Sequence, residues 1–338
     1  MKILSPLLAV IILVALAFIG VEAVNLRFLF GVIIPYLAGL IFIIGVIWRV
    51  ICWGRSAVPF RIPTTCGQQK TLPWIKHNKL ENPSNTLEVI GRMALEILLF
   101  RSLFRNTQTE LRNDPHLAHG SEKWLWLGAL AFHWSILIIL LRHTRLFFEP
   151  VPAILNVING LDGFLQIWIP VVYLSGLILP AAAAFLLLRR LLDQKVRCIS
   201  LPADYFPLFL IIGIATSGIL MRYFTKVDIV SLKAYIMTMI HFNPAIPQGV
   251  GSIFYIHLFL VSTLLAYFPF SKLMHIGGIF FSPARNMANN SRVRRHINPW
   301  DYPVKVHAYQ EYEDDFREKM KKVGIPVEKE EEATNEHE

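Results

Sequence analysis

Charge is scarce along much of this chain. Only 17% of its 338 residues are Asp, Glu, Lys or Arg, against about 25% in an ordinary soluble domain. The shortage is patterned: 3–21, 28–48, 124–141, 163–188, 205–221 and 234–271 contain none of the four. Five of these stretches lie at or near the ~17–25 residues that cross a hydrocarbon core, and in the sixth only 250–270 is continuously apolar. With 54% hydrophobic residues, a soluble enzyme and a disordered chain are both excluded. Cysteine is scarce as well. Cys52, Cys66 and Cys198 are odd in number and widely spaced, which supports neither a disulfide framework nor a zinc or iron–sulfur ligand set. There is no Walker loop, no G-x-G-x-x-G and no internal repeat.

What is present reads as an all-α integral membrane protein, a bundle of about six transmembrane helices. The first apolar run is 19 residues long and ends in Gly20, Val21 and Glu22 without a small-residue cleavage pattern. It exceeds the roughly 7–15 residues of a signal h-region, so it is read as a retained helix. Lys and Arg set the orientation. The N-terminus, loop 49–123, loop 189–202 and the segment after 271 hold 27 of them, whereas the alternate side holds only Arg27, Arg142, Arg145, Arg222, Lys226 and Lys233. Surplus positive charge marks the cytoplasmic side, so both termini are expected there, in the cytoplasmic (inner) membrane. The net charge of +9 hides a split, because 311–338 carries −6.

Four regions follow: two helices in 1–48, a cytoplasmic loop in 49–122, a four-helix region in 123–281 and a cytoplasmic extension in 282–338. In the loop, 86–104 reads as an amphipathic helix with a capping box of Asn85 and Glu88 and with Glu88, Arg92 and Glu96 on one face. It either lies on the membrane or a partner, or packs on its own bundle. Pro59, Pro63, Pro73 and Pro83 mark extended chain before it. Beyond Ser282 come the basic run Arg292, Arg294 and Arg295, the Asn298-Pro299-Trp300 loop, and a charged helix over Tyr309–Val323 stopped by Gly324 and Pro326. The final EKEEEATNEHE is too polar to bury anything and is expected to be a flexible tail.

Of eleven histidines, His77, His116, His119, His296, His307 and His337 fall in loops, and His241 lies between the fifth and sixth helices. The other four fall on two helices: His133 and His143 on the third, His257 and His275 on the sixth and its inner end. Ionisable groups at membrane depth need partners. A lone histidine there is usually an interhelical hydrogen bonder, but two on each of two helices is the count that two bis-histidine haems require. Charge topology makes the two helices antiparallel, so His143 can meet His257 and His133 can meet His275. The spacing is less favourable. Ten residues displace a side chain by about 80° around a straight helix, whereas eighteen return it to the same face, and a kink at Pro269 would have to absorb the difference.

At these residues the sequence resembles a known family. The ten- and eighteen-residue spacings match those of the respiratory nitrate reductase membrane (gamma) subunit, a dihaem cytochrome b, over roughly 120–280. Over nearly the whole chain it resembles the membrane cytochrome b of the Dsr complex, or Hdr-like menaquinol oxidoreductase. The stretch from SKLMHIGGIFFSPARNMANN to KKVGIPVEK looks like that family's C-terminus. The resemblance implies that His133, His143, His257 and His275 ligate the iron of two b haems. It also implies menaquinol as substrate near the outer haem, and electron exchange with a cytoplasmic iron–sulfur, heterodisulfide-reductase-like subunit of a sulfur-metabolising complex. The nitrate reductase subunit has five helices; the extra N-terminal helix here means its outward N-terminus does not transfer.

A quinone pocket needs polar groups facing the outer haem. Arg142, Arg145, Glu149 and Asp162 are available on that side, and the assignment taken is Glu149 as proton acceptor and Arg145 as the group that positions the quinone oxygen. The plainer alternatives are a propionate partner for Arg145 and loop surface for Glu149. Basic loops 49–79 and 285–296 could receive an acidic partner or anionic lipid. A non-redox scaffold or transporter with structural histidines is the competing class. Its substrate path would carry intramembrane acids, and the six apolar cores have none.

Overall fold

The computed structural model describes residues 2–56, 67–111, 117–165, 170–247, 249–294, 303 and 306–328. Expectations for Pro59, Pro63, Cys66, His116, Arg295, His296, the Asn298-Pro299-Trp300 loop and the terminal tail beyond 328 fall outside them. Among the described residues six helices are long and apolar enough to cross a membrane. They are α1 (Leu4–Glu22), α2 (Ile34–Gly54, entered through a π-helical turn, Leu29–Ile33), α5 (Lys123–His143), α7 (Leu174–Leu192), α9 (Pro202–Ile219, continued by a π-helical turn, Leu220–Phe224) and α11 (Ser252–Tyr267). Between them lie α3 (Thr86–Leu99), α4 (Arg101–Phe104), α6 (Ala153–Asp162), α8 (Gln194–Ile199) and α10 (Ile229–Ile240). After α11 come α12 (His275–Gly278), α13 (Pro283–Asn286) and α14 (Tyr309–Lys322).

Two rows of helices share the core. α5 packs on α7 and α7 on α9; α9, α1 and α2 then surround α11. Small residues let the helices approach. A Cβ on Gly45 of α2 would lie 2.7 Å from the Pro269 ring, and one on Gly128 of α5 would lie 2.5 Å from the ring of Phe185 on α7. This close approach of small residues is how helices associate in lipid, where no hydrophobic force drives them together.

The connecting loop also holds a short hairpin that was not expected from the sequence. Thr107–Leu111 (β1) pairs antiparallel with Leu117–Ser121 (β2). The apolar stretches also divide further than expected. Among the described residues, stretch 163–188 is helical from Leu174, and 234–271 holds the end of α10 and all of α11. The charged helix after the membrane region runs Tyr309–Lys322, with Gly324 at φ 74° behind it. It lies in a separate compact unit, 295–338, while 1–294 forms the other.

α3 is built with its polar side inward. Arg92 and Glu96 are each 6% exposed, whereas Leu87 is 80% and Ile90 58% exposed. The burial is tolerated because Glu96 finds Arg285 of α13 at 3.0 Å and the Ser102 hydroxyl, while Glu81 holds Arg101 and Arg105. Indole N–H groups of Trp126 and Trp134 on α5 donate to the Leu99 and Leu98 carbonyls at 2.7 and 3.0 Å, satisfying the helix's last acceptors. At the other end the capping box forms in half. Asn85 accepts from the Glu88 N–H at 3.0 Å, but the Glu88 carboxylate reaches past Asn85 to the Ser84 N–H and hydroxyl, at 2.7 and 3.0 Å. Ser84 wins because it offers two donors to one carboxylate, and His77 stands 3.5 Å away.

Burial raises the Glu88 pKa, but the bonds from Ser84 and the neighbouring His77 outweigh it and hold the carboxyl below its ordinary 4.5. A depressed carboxyl stabilises the fold fully above its unfolded pKa, and the contribution is lost as pH falls through the folded value. Glu88→Gln is therefore expected to cost about 1–2 kcal/mol near neutrality. That penalty should shrink as the pH falls from 4.5, as read by thermal unfolding in detergent across a pH series.

Candidate functional site

Ten residues apart on α5, His133 and His143 each turn Nδ1 back to the carbonyl one helical turn earlier: Ala129 at 2.8 Å and Ile139 at 2.7 Å. His275 does the same to Lys272 at 2.8 Å. His257 instead meets Ser217 Oγ of α9 at 2.9 Å, and that hydroxyl donates to the Ile214 carbonyl at 2.9 Å. A carbonyl can only accept, and the Ser217 proton is already used, so all four rings carry their proton on Nδ1. Among the described residues no hydrogen bond engages Nε2 in any of them, so four lone pairs are left to a ligand-seeking centre. The bond alone is not diagnostic, since His241 makes it too, to Met237 at 2.7 Å.

What distinguishes these histidines from His241 is a second imidazole nearby. His133 and His275 face each other with ring centroids 5.8 Å apart and planes at 82°. Metal–imidazole bonds of about 2 Å would put two rings sharing one metal about 6 Å apart by centroid, so the separation suits a shared iron. His143 lies within electrostatic reach of His257. α5 and α11 themselves are not among the closely packed helix pairs, and the rings are not locked in core packing: His143 and His275 are exposed, His133 and His257 half-buried. Gly218 of α9 borders His257, where a Cβ would come within 3.4 Å of the imidazole. Phe100 and Phe132 set their rings edge-on to His133 at 5.0 and 5.2 Å. Phe100 reaches it from a left-handed turn, φ 50°, between α3 and α4. Among the described residues no three His, Cys, Asp or Glu cluster as a metal cage; two facing imidazoles are the donor set a haem takes, since its other ligands come from the porphyrin.

The expectation that His257 and His275 share one kinked helix is corrected. α11 ends at Tyr267, a 3-10 turn carries Pro269, and Ser271 is extended at φ −112°, ψ 176°. Pro269 cannot continue the ladder, and the Ser271 side chain caps the next turn by accepting from the Leu273 N–H. The same-face arithmetic for eighteen residues does not apply, because His275 starts a new short helix.

Beyond the His143–His257 pair lies a polar network built on Arg142 and Asp162, two of the four outer-side groups that the sequence offered. Arg142 donates to Asn159 at 3.0 Å and to Asp162 at 2.9 Å. Asp162 also accepts from the backbone N–H and hydroxyl of Ser175, at 2.7 and 2.6 Å. The Arg142 guanidinium lies 3.1 Å from the Tyr173 ring centroid, and Arg222 covers the same ring at 4.3 Å. Its members come from four separate segments, so the sequence offered Arg142 and Asp162 but neither their pairing nor the part of Tyr173 and Arg222. Glu149 is paired with Lys233 of α10 and its side chain is 67% exposed. Arg145 sits in the 3-10 turn Thr144–Leu146 beside α10 and makes no ion pair among the described residues. Cys52 and Cys198 are free thiols.

The Arg142–Asp162 pair is nearly dry, with side chains 15% and 3% exposed. Removing one member of a buried pair strands the other charge, at about 3–5 kcal/mol. Asp162→Asn is expected to lower the thermal unfolding midpoint in detergent strongly, and Glu149→Gln, at an exposed pair, hardly at all.

Residues 92–296 match the family model described as nitrate reductase gamma subunit. An Hdr-like menaquinol oxidoreductase cytochrome b-like subunit of Archaeoglobus fulgidus is 47% identical over 280 residues, 81% of this chain and 83% of that protein. Its namesake from Archaeoglobus profundus is 41% identical, covering 79% of this chain and 81% of that protein. The respiratory nitrate reductase 1 gamma chain of Escherichia coli is 30% identical over 113 residues, 31% of this chain and 50% of its own length. With the family model spanning most of the chain and two relatives aligned over four-fifths of it, this protein belongs to the nitrate reductase gamma subunit family.

Proposed function

We propose that the chain is the membrane cytochrome b of a quinol oxidoreductase complex. In this role it holds two b haems, oxidises menaquinol near the outer face of the cytoplasmic membrane, and passes the electrons to a cytoplasmic iron–sulfur, heterodisulfide-reductase-like partner in sulfur metabolism. The observation that carries the proposal is the facing of His133 and His275, with His143 within electrostatic reach of His257 and all four imidazoles anchored at Nδ1, in a chain whose relatives are named cytochrome b-like subunits.

Bound haem supplies reversible one-electron transfer. His133 with His275 would hold one haem and His143 with His257 the other. Each Nδ1–H bond fixes its ring and makes Nε2 a stronger donor. Phe100 and Phe132 shield the His133 side from water. Beside the other pair, Arg145 orients the quinol oxygen and Glu149 accepts a proton, with Lys233 as its neighbour. The excess of Lys and Arg places the His133 side toward the cytoplasm, where loops 49–79 and 285–296 offer basic residues to an acidic partner.

A reduced-minus-oxidised spectrum with a pyridine haemochrome count on the purified full-length chain is expected to give about two b haems. Alanine at any one of His133, His143, His257 or His275 should remove one of them, and His241→Ala should retain both. Well-folded protein without haem, made with ample haem, would establish the scaffold instead. Glu149→Gln is expected to slow quinol oxidation and flatten its pH profile with haem content intact; an unchanged profile would remove Glu149 from the mechanism.

A further inference from the structure

The network beyond His143 and His257 is out of charge balance. It holds two guanidinium groups, Arg142 and Arg222, on one phenol ring. Asp162 is the carboxylate that serves it, and it is committed to Arg142 and Ser175. Among the described residues Arg222 meets no carboxylate. It donates to the Val171 carbonyl at 3.1 Å and covers Tyr173 and Tyr223, while its buried Nε–H has no acceptor. A half-buried cation beside a membrane-spanning helix is costly without an anion.

Its position says which anion. Arg222 sits in the π-helical turn that continues α9. Ser217, which accepts the His257 Nδ1–H, and Gly218, which borders the imidazole, lie about one turn earlier on the same helix. Arg142 immediately precedes His143. The Arg142–Tyr173–Arg222 stack therefore bridges the end of α5 that carries one ring of the pair to the helix that braces the other. Tyr173 itself is held in place by its N–H bond to the Tyr223 hydroxyl at 3.1 Å. π-helical turns commonly mark sites where a side chain is re-aimed for function.

We propose that Arg222, set on Tyr173 and kept apart from Asp162 by Arg142, is the anchor for a carboxylate of the haem held by His143 and His257. This inference rests on the dihaem proposal above. A guanidinium suits a carboxylate through paired, charge-assisted hydrogen bonds, and its positive charge favours the reduced, less positive iron. An anionic lipid headgroup offers related chemistry, so the test must separate the two sources.

The experiment is a potentiometric titration of the full-length holoprotein, comparing wild type with Arg222→Gln and Arg222→Lys. Arg222→Gln is expected to leave two haems but make one of them about tenfold harder to reduce, a fall of about 59 mV for one electron; Arg222→Lys should recover most of it. Should Arg222→Gln fail to accumulate, wild-type apoprotein is reconstituted with haem or with haem dimethyl ester, whose carboxylates are blocked. Weaker uptake of the ester at one of two sites supports the anchor, and equal uptake at both overturns it. Two haems with unshifted potentials in Arg222→Gln would also overturn it, and a change confined to stability in anionic-lipid vesicles would assign Arg222 to a headgroup. Absence of haem from the wild type would instead reject the dihaem proposal itself.

Discussion

An imidazole at membrane depth has two nitrogens and no water, and every polar group there must find its partner within the protein. In this chain Nδ1 is always the nitrogen that is satisfied, by a carbonyl one turn back along the chain or by Ser217 across to α9. That choice fixes the tautomer, points each ring away from its own backbone and leaves Nε2 uncommitted. The surrounding architecture follows from keeping those nitrogens accessible. α5 and α11 are held in different packed rows, and the chain breaks at Ser271 so that His275 swings to face His133.

Polar networks close the two ends of this arrangement in different ways. Around α3 the buried carboxylates are met by arginines, Glu96 by Arg285 and Glu81 by Arg101 and Arg105, and the apolar row Leu87, Ile90 and Leu98 is turned outward. A helix with buried charge and exposed leucine is inverted for water but suited to a lipid or protein neighbour. Its far end delivers Phe100 to His133, so the element with the exposed apolar row also packs against a proposed ligand. At the other end the charges do not cancel, and Arg222 is left over.

Much of this was legible in the chain. The six spans follow from runs without charge, and the facing of His133 with His275 follows from helix direction plus histidine order. The pattern Glu88, Arg92, Glu96 identified a polar face on α3. Which way that face points was not legible, because it depends on Arg285 and Ser102, the first of them almost 190 residues away from Glu96. The helix break after Pro269 was visible only as a kink, since Ser271's capping of Leu273 is a local choice among several open to a serine. Glu149 drew notice as an acid on the right side; its pairing with Lys233 joins segments 84 residues apart.

By itself the sequence determined the membrane class, the number of apolar spans, their relative direction and the order of the four histidines along the third span and along the sixth and its inner end. These depend on composition, charge bias and order along one dimension. Only the tertiary structure decided which imidazole nitrogen is committed, how far apart His133 and His275 stand, and that Arg222 meets no carboxylate among the described residues. Hydrogen-bond partners and charge balance are properties of neighbours in space, and the Arg142–Tyr173–Arg222 stack draws its neighbours from segments that no spacing rule connects.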